Sequence, residues 1–165
     1  MEHSINPSPR NVLLVYPATP ETYWSYRHAL ELIGKKALMP PLGLLTVAAI
    51  MGEQYEYRLV DLNVTELDEA DLEWADLVML SAMIVQREST EEVIARCNAA
   101  GVPVVAGGPY PTACHEEISG VAHFVLGEGE CTIPAFREDL EAGTPREVYY
   151  PEARPEMSTV PAPRF

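Results

Sequence analysis

Four short apolar runs constrain this chain more than any other feature. Residues 11–16 (NVLLVY) stop at Pro17, 77–80 (LVML) at Ser81, 102–106 at Gly107-Gly108, and 124–126 at Gly127. None alternates apolar with polar residues, which is how strands covered on both faces read. A fifth run, 57–60, leads into Asp61. Helical signals lie between the runs. Pro40-Pro41 precede Leu42–Met51 and Gly52 follows, so proline opens and glycine closes a helix. Ser89 with Glu92 reads as a capping box, after which Val93, Cys97 and Ala100 share one face up to Gly101. Ile133, Phe136 and Leu140 share a face of a last helix closed by Gly143, and 67–74 is a short, acidic, weakly helical crossover. Strand alternating with helix predicts an α/β fold: a doubly wound five-stranded parallel sheet, order 2-1-3-4-5, in three layers. Ligands of such sheets sit at the carboxyl ends of the strands.

Composition narrows the class. The 165 residues suit one domain with a real core. A formal charge of −14 repels polyanions, so no nucleic-acid partner is expected. No apolar stretch is long enough to span a membrane, and residues 1–10 lack a signal-peptide core. Cys97, Cys114 and Cys131 are odd in number and widely spaced, which argues against a disulfide framework or a metal knuckle and for a cytoplasmic location. Residues 1–10 are read as a flexible end, 11–150 as the domain, and 151–165, with four prolines, as an extended linker. The expectation is that the chain is the front part of something longer.

The functional residues of such a fold follow the strands. They are Pro17 and Thr19, with an aromatic loop of Tyr23, Trp24 and Tyr26; then Asp61 and Asn63; then Ser81, Met83, Val85 and Gln86. Gly107, Gly108, Pro109 and Tyr110 follow the fourth strand, and Gly127, Glu128 and Gly129 the fifth. Glycine clusters on one edge let a broad ligand approach the backbone, although tight turns also select glycine. The other loops carry proline, aromatics and amides, which suit a large amide-decorated ligand better than a nucleoside triphosphate. The first loop, YPATPETYW, lacks GxGxxG, and no GxxxxGK[ST] occurs. Ser81 and Gly127 stand where a receiver domain carries Asp and Lys, and Thr19 with Thr22 makes a thin flavodoxin phosphate loop. His3, His28, His115 and His123 have no metal-ligand spacing, and His115 alone is kept as a rim contact. Glu130 is read as an anion at a helix N-terminus rather than as half of a catalytic pair with Glu128.

Six stretches together carry a resemblance: NVLLVYP at 11–17, KKALMPPLGLLTVAA at 35–49, LVDLNV at 59–64, SAMIVQRES at 81–89, VVAGGPYPT at 104–112 and FVLGEGE at 124–130. In this order they resemble the N-terminal cobalamin-binding domain of cobalamin-dependent radical SAM enzymes, closest to the branch that includes hopanoid methylases. The resemblance covers roughly residues 10 to 165 and implies a Rossmann-like sheet holding cobalamin at its strand ends. Methionine synthase and the cobalamin mutases carry DxHxxG after the second strand, whose His ligates cobalt. Here that stretch is Asp61 to Glu66, DLNVTE, with Asn63 in the place of the His. An amide is a poor cobalt ligand beside imidazole. The resemblance therefore implies cobalamin with its own base displaced and no protein His on the metal. It also implies that Met83 to Gln86 pack near the lower corrin face and that Gly107-Gly108 lie beside the nucleotide tail. The parent reaction it implies is methylation of an unactivated carbon. The CxxxCxxC that holds a [4Fe–4S] cluster through three thiolates is missing from this chain, so the cluster and S-adenosylmethionine are expected in an absent C-terminal radical SAM domain. A doubly wound small-ligand or interaction module without cobalamin, flavodoxin-like or receiver-like, is the alternative.

Overall fold

The computed structural model describes residues 9–21, 30, 34–37 and 39–165. The expectations for the N-terminal end up to residue 8, for Thr22, for the loop aromatics Tyr23, Trp24 and Tyr26, and for His3 and His28 lie outside the described residues. The described elements run β1 (Asn11–Tyr16), α1 (Leu42–Met51), β2 (Glu56–Asp61), α2 (Glu69–Trp74), β3 (Leu77–Ser81), α3 (Arg87–Ala100), β4 (Val104–Gly107), α4 (Pro109–Cys114), β5 (His123–Val125), α5 (Gly129–Glu141) and β6 (Val148–Tyr149). All strand pairings are parallel and the order is β2-β1-β3-β4-β5-β6.

The sheet is the doubly wound one expected, with one strand more. β6 is two residues long, pairs Phe124 with Val148 and Val125 with Tyr149, and is too short to show any period in sequence. What fixes it is tertiary. The Tyr149 hydroxyl donates to Asp139 (2.9 Å) and accepts from the Arg146 amide (2.8 Å), and its ring packs edge-on to Phe136.

Because side chains alternate along a strand, each central strand feeds two cores. Leu13, Val15, Val78, Leu80, Val104 and Ala106 face α2, α3 and α4 through Leu72, Val93, Ile94, Cys97 and Tyr110. Val12, Leu14, Leu77, Met79, Val105 and Val125 face α1 and α5 through Leu44, Ala48, Met51, Ile133, Phe136 and Leu140. Each such large side chain contributes roughly 1.5–3 kcal/mol of burial. Burial among these residues pushes the Cys97 thiol up to about 11, so it packs as an inert apolar group.

Two helix starts differ from expectation. α3 begins at Arg87, so Ser89 is not its cap; the Ser89 hydroxyl accepts from the Ala18 amide at 2.9 Å instead. Ala100 is exposed, and Ile94 joins Val93 and Cys97 on the buried face. The acidic crossover does form a helix, because Asp68 and Asp71 make a reciprocal capping box. Residues 151–165 turn back along the α1 and α5 layer. The Arg164 amide reaches the Leu45 carbonyl at 3.1 Å, and the Arg164 guanidinium lies 5.1 Å from the centre of the Tyr57 ring.

His123 gives the fold a pH dependence. Burial holds its imidazole below the usual range, against the opposing pull of the Arg146 carbonyl on Nδ1 and of Glu147. The neutral ring is favoured in the fold. Its contribution is therefore complete above the unfolded value of about 6.5 and is lost as pH falls below it, where the unfolded chain protonates first. Thermal melts should lose more stability between pH 7.5 and 5.5 in the wild type than in His123→Gln. Parallel profiles would remove His123 as the cause.

Candidate functional site

The site lies on the carboxyl edge and is built around one clamped loop. Pro17, Ala18 and Thr19 leave β1 between the loops that follow β2 and β3. From the β2 side, Asn63 Oδ1 accepts from the Thr19 amide (2.8 Å), and Nδ2 donates to the Pro17 carbonyl (3.4 Å) and to Asp61 Oδ1 (2.7 Å). From the β3 side, Gln86 Nε2 donates to the Pro17 carbonyl and to Thr19 Oγ1 (3.4 Å), while its Oε1 accepts from the Met83 amide (2.8 Å). Gln86 is only 1% exposed. Three strand ends are thus stitched together by two side-chain amides.

The stitching presents an apolar ridge. With Met83 N held by Gln86, the turn Ile84–Gln86 displays Met83, Ile84 and Val85 at 40, 57 and 54% exposure. Met39 and Leu42 are also exposed, at the approach to α1. Large apolar groups gathered on a ligand edge mark a surface that something covers.

Two of the cavities on this edge hold most of the expected site residues. A trough of about 730 Å³ lies over the ends of β1 and β2, with Tyr16, Thr19, Lys35, Lys36, Met39, Asp61, Asn63 and Met83 among its lining residues. A slot of about 330 Å³ runs between α1 and α5 above β3, β4 and β5. Gly43, Leu44 and Val47 line it from α1, Met79, Ser81, Val105, Gly107 and Val125 from the strands, and Gly129 and Ile133 from α5. Gly108, Pro109, Thr112, Gly127, Glu128 and Glu130 also line it, with Thr46 and Ile50 from α1. The trough and the slot meet the sheet on either side of the β1/β3 switch point, where doubly wound sheets hold their ligands.

The expected site residues therefore divide. Thr19, Asp61, Asn63 and Met83 line the trough, and Ser81, Gly107, Gly108, Pro109, Gly127, Glu128 and Gly129 line the slot. Val85 stands on the ridge. Pro17 and Gln86 belong to the clamp, and Tyr110 is 1% exposed inside the core. His115 sits in a cluster with Phe124 and Tyr150, its Nε2 3.2 Å from the Tyr150 hydroxyl. No group of three His, Cys, Asp or Glu among the described residues is placed to hold a metal.

The glycines divide too. At Gly108 (φ +87°) an added Cβ would lie 2.6 Å from Ser81 Oγ, and at Gly107 2.9 Å from the Val125 carbonyl oxygen. These two are required by the chain's own close packing. Gly129 and Gly43 are not. A Cβ on Gly129 makes ordinary contacts across the slot, 3.5 Å from Val47 and 3.7 Å from Ile133, and one on Gly43 meets nothing within 4 Å. No protein atom demands glycine at either position, so both leave space open beside the slot. Gly43, Val47, Met79 and Ile133 were not among the expected site residues; a glycine in the apolar run of α1 was the one available signal.

A parallel sheet with a slot and a trough at its switch point defines a cofactor-binding α/β domain. The B12 binding domain family matches residues 35–137, and the chain belongs to that family. It is 44% identical over 155 residues to an uncharacterized methyltransferase of Synechocystis sp., covering 93% of this chain and 29% of that protein. It is 30% identical over 161 residues to the hopanoid C-2 methylase of Rhodopseudomonas palustris, covering 94% of this chain and 31% of the relative. A bacteriochlorophyllide d C-12(1)-methyltransferase of Chlorobaculum tepidum is 23% identical over 135 residues, 81% of this chain and 30% of that protein. The chain thus spans about a third of the length of these relatives. No solved structure matches it. No helix among the described residues is long and apolar enough to cross a membrane.

The residues present fit cobalamin. A broad trough bordered by an exposed apolar ridge suits a disc-shaped macrocycle, and the glycine-edged slot beside it suits a narrow appendage.

Proposed function

We propose that this domain holds cobalamin with its own base detached and no protein imidazole on cobalt, as the cofactor module of a radical SAM methyltransferase. The observation that carries the reading is the state of Asn63. It stands where related cobalamin proteins carry the ligating His, and its amide is consumed by Thr19, Pro17 and Asp61. Neither of its polar atoms is free to turn toward a metal. Met83, Ile84 and Val85 offer an apolar floor in its stead, and Lys35 and Lys36 line the far side of the trough. The slot receives the detached nucleotide tail, with Gly129 and Gly43 keeping it open. When bound, cobalamin supplies the cobalt centre through which a methyl group is transferred. This chain's residues bind it, orient it and keep its lower face dry. The [4Fe–4S] cluster and S-adenosylmethionine belong, in this reading, to a radical SAM domain beyond residue 165. The methyltransferase names of the three relatives support the reaction class.

The test is spectroscopic. Protein mixed with hydroxocobalamin and desalted should retain one equivalent of corrinoid. After one-electron reduction, its electron paramagnetic resonance spectrum should lack nitrogen splitting on the cobalt lines. Splitting from an axial nitrogen would overturn the base-detached, His-free reading, and loss of all corrin absorbance on desalting would overturn cobalamin binding.

A further inference from the structure

We propose that residues 151–165 form a strap that braces α1 against α5 and so sets the opening of the slot between them. Its contacts run the length of the segment. At its start the Pro151 ring sits against Gly127, where a Cβ would come 2.7 Å from Pro151 Cγ. The Cys131 thiol, in the first turn of α5, donates to the Ala153 carbonyl at 3.2 Å. The chain then turns at Glu156, whose carbonyl accepts from the Thr159 amide (3.0 Å) and hydroxyl (2.8 Å). At the far end the Arg164 amide donates to the Leu45 carbonyl of α1 at 3.1 Å, and the Arg164 guanidinium lies over the Tyr57 ring. The strap thus leaves from α5 and finishes on α1.

Between these ends lies a groove of about 360 Å³. Ala49 and Ile50 line it from α1, Pro134 from α5, and Pro155, Val160 and Pro161 from the strap. Ile50 and Glu130 line this groove and the slot alike. Packed side chains transmit a displacement rather than absorb it, so a strap that moves in the groove moves walls of the slot.

The segment can dock and release without cost to the sheet. Its four prolines remove much of the freedom that docking would otherwise take away. Its side chains are mostly exposed, so it opens independently of the buried strands. With the strap docked the slot is already shaped, and a ligand that uses the slot spends less of its binding on ordering α1 and α5. Coupling of this kind is reciprocal: filling the slot holds the strap down. The state of the site is thereby carried to residue 165.

The test uses the full chain. Val160→Asp places a carboxylate in the groove that Glu130 also lines, and so releases the strap without altering a residue of the slot or the trough. Residue-resolved amide exchange reads docking at Arg164 and bracing at Thr132, whose amide donates to the Glu128 carbonyl in the first turn of α5. Both amides should exchange faster in the variant, with the strand amides unchanged. Affinity for hydroxocobalamin, followed by corrin absorbance, should fall about fivefold or more, and saturating cobalamin should slow Arg164 exchange in the wild type by the same factor. An Arg164 amide still protected in the variant would overturn the groove as what holds the strap. Fast exchange at Arg164 with Thr132 unchanged would defeat the bracing, and fast exchange with full cobalamin affinity would defeat the link to the slot. The affinity arm rests on the cobalamin reading above. If the wild type binds no corrinoid, that reading fails, while exchange at Thr132 still decides the bracing.

Discussion

Gly129→Leu will lose cobalamin and keep its fold. Gly129 opens α5 and is not among the glycines with positive φ, so a side chain there strains no backbone. Its Cβ would contact Val47 and Ile133 at ordinary distances, and the three further carbons of leucine have only the slot to occupy. The substitution buries extra apolar surface. The thermal midpoint should therefore hold or rise. Cobalamin affinity should fall by about a hundredfold, the equivalent of roughly 3 kcal/mol of lost tail contacts. Cobinamide affinity should not change, because the trough is untouched. Undiminished cobalamin binding by a folded variant would show that the slot is not the tail's seat. Gly108 offers no equivalent test, since a Cβ there collides with Ser81 Oγ and with Ala82 before any ligand is considered.

The second large effect is expected at Gln86. Truncation to alanine removes the donor to the Pro17 carbonyl and the acceptor of the Met83 amide, and leaves a void at a residue that is 1% exposed. Unpaired buried groups and a void of this size together cost about 2–4 kcal/mol. For a chain of this length that lowers the thermal midpoint by about 5–15 °C. Gln86→Met restores the volume without the hydrogen bonds, so it should recover less than half of the loss. Amide exchange at Met83 should accelerate in both variants, because both release the clamp on the ridge. A methionine variant as stable as wild type would mean that packing alone holds the loop. Asn63 performs the same service from the β2 side, so a double variant should cost less than the two single losses added together.

These two positions show how differently the sequence spoke about the site. Both were expected to touch the ligand. Gly129 does border a cavity, whereas Gln86 faces inward, because a glutamine in a loop looks the same in sequence whether its amide meets a ligand or a carbonyl. The glycines were equally mute. Gly107, Gly108 and Gly129 stand in similar strand-to-helix motifs, and only the neighbours of a hypothetical Cβ separate those that packing requires from the one that packing permits.

Most of the architecture was legible without coordinates. Uninterrupted apolar runs at 11–16, 77–80 and 102–106 can be buried only inside a sheet covered on both faces, and the helical signals between them leave parallel pairing as the connection. Order and switch point follow from right-handed crossovers, and the Asp61-Leu62-Asn63 sequence after β2 is read without any fold. Tertiary structure alone decided the rest. β6 exists because Tyr149 reaches Asp139 and the Arg146 amide. The slot exists because α1 and α5, distant in sequence, lie side by side with glycine on each. Local preferences are written along the chain. Distances between elements that meet only after folding are set by how their side chains pack, and a ligand site made of the gap between them has no local signature.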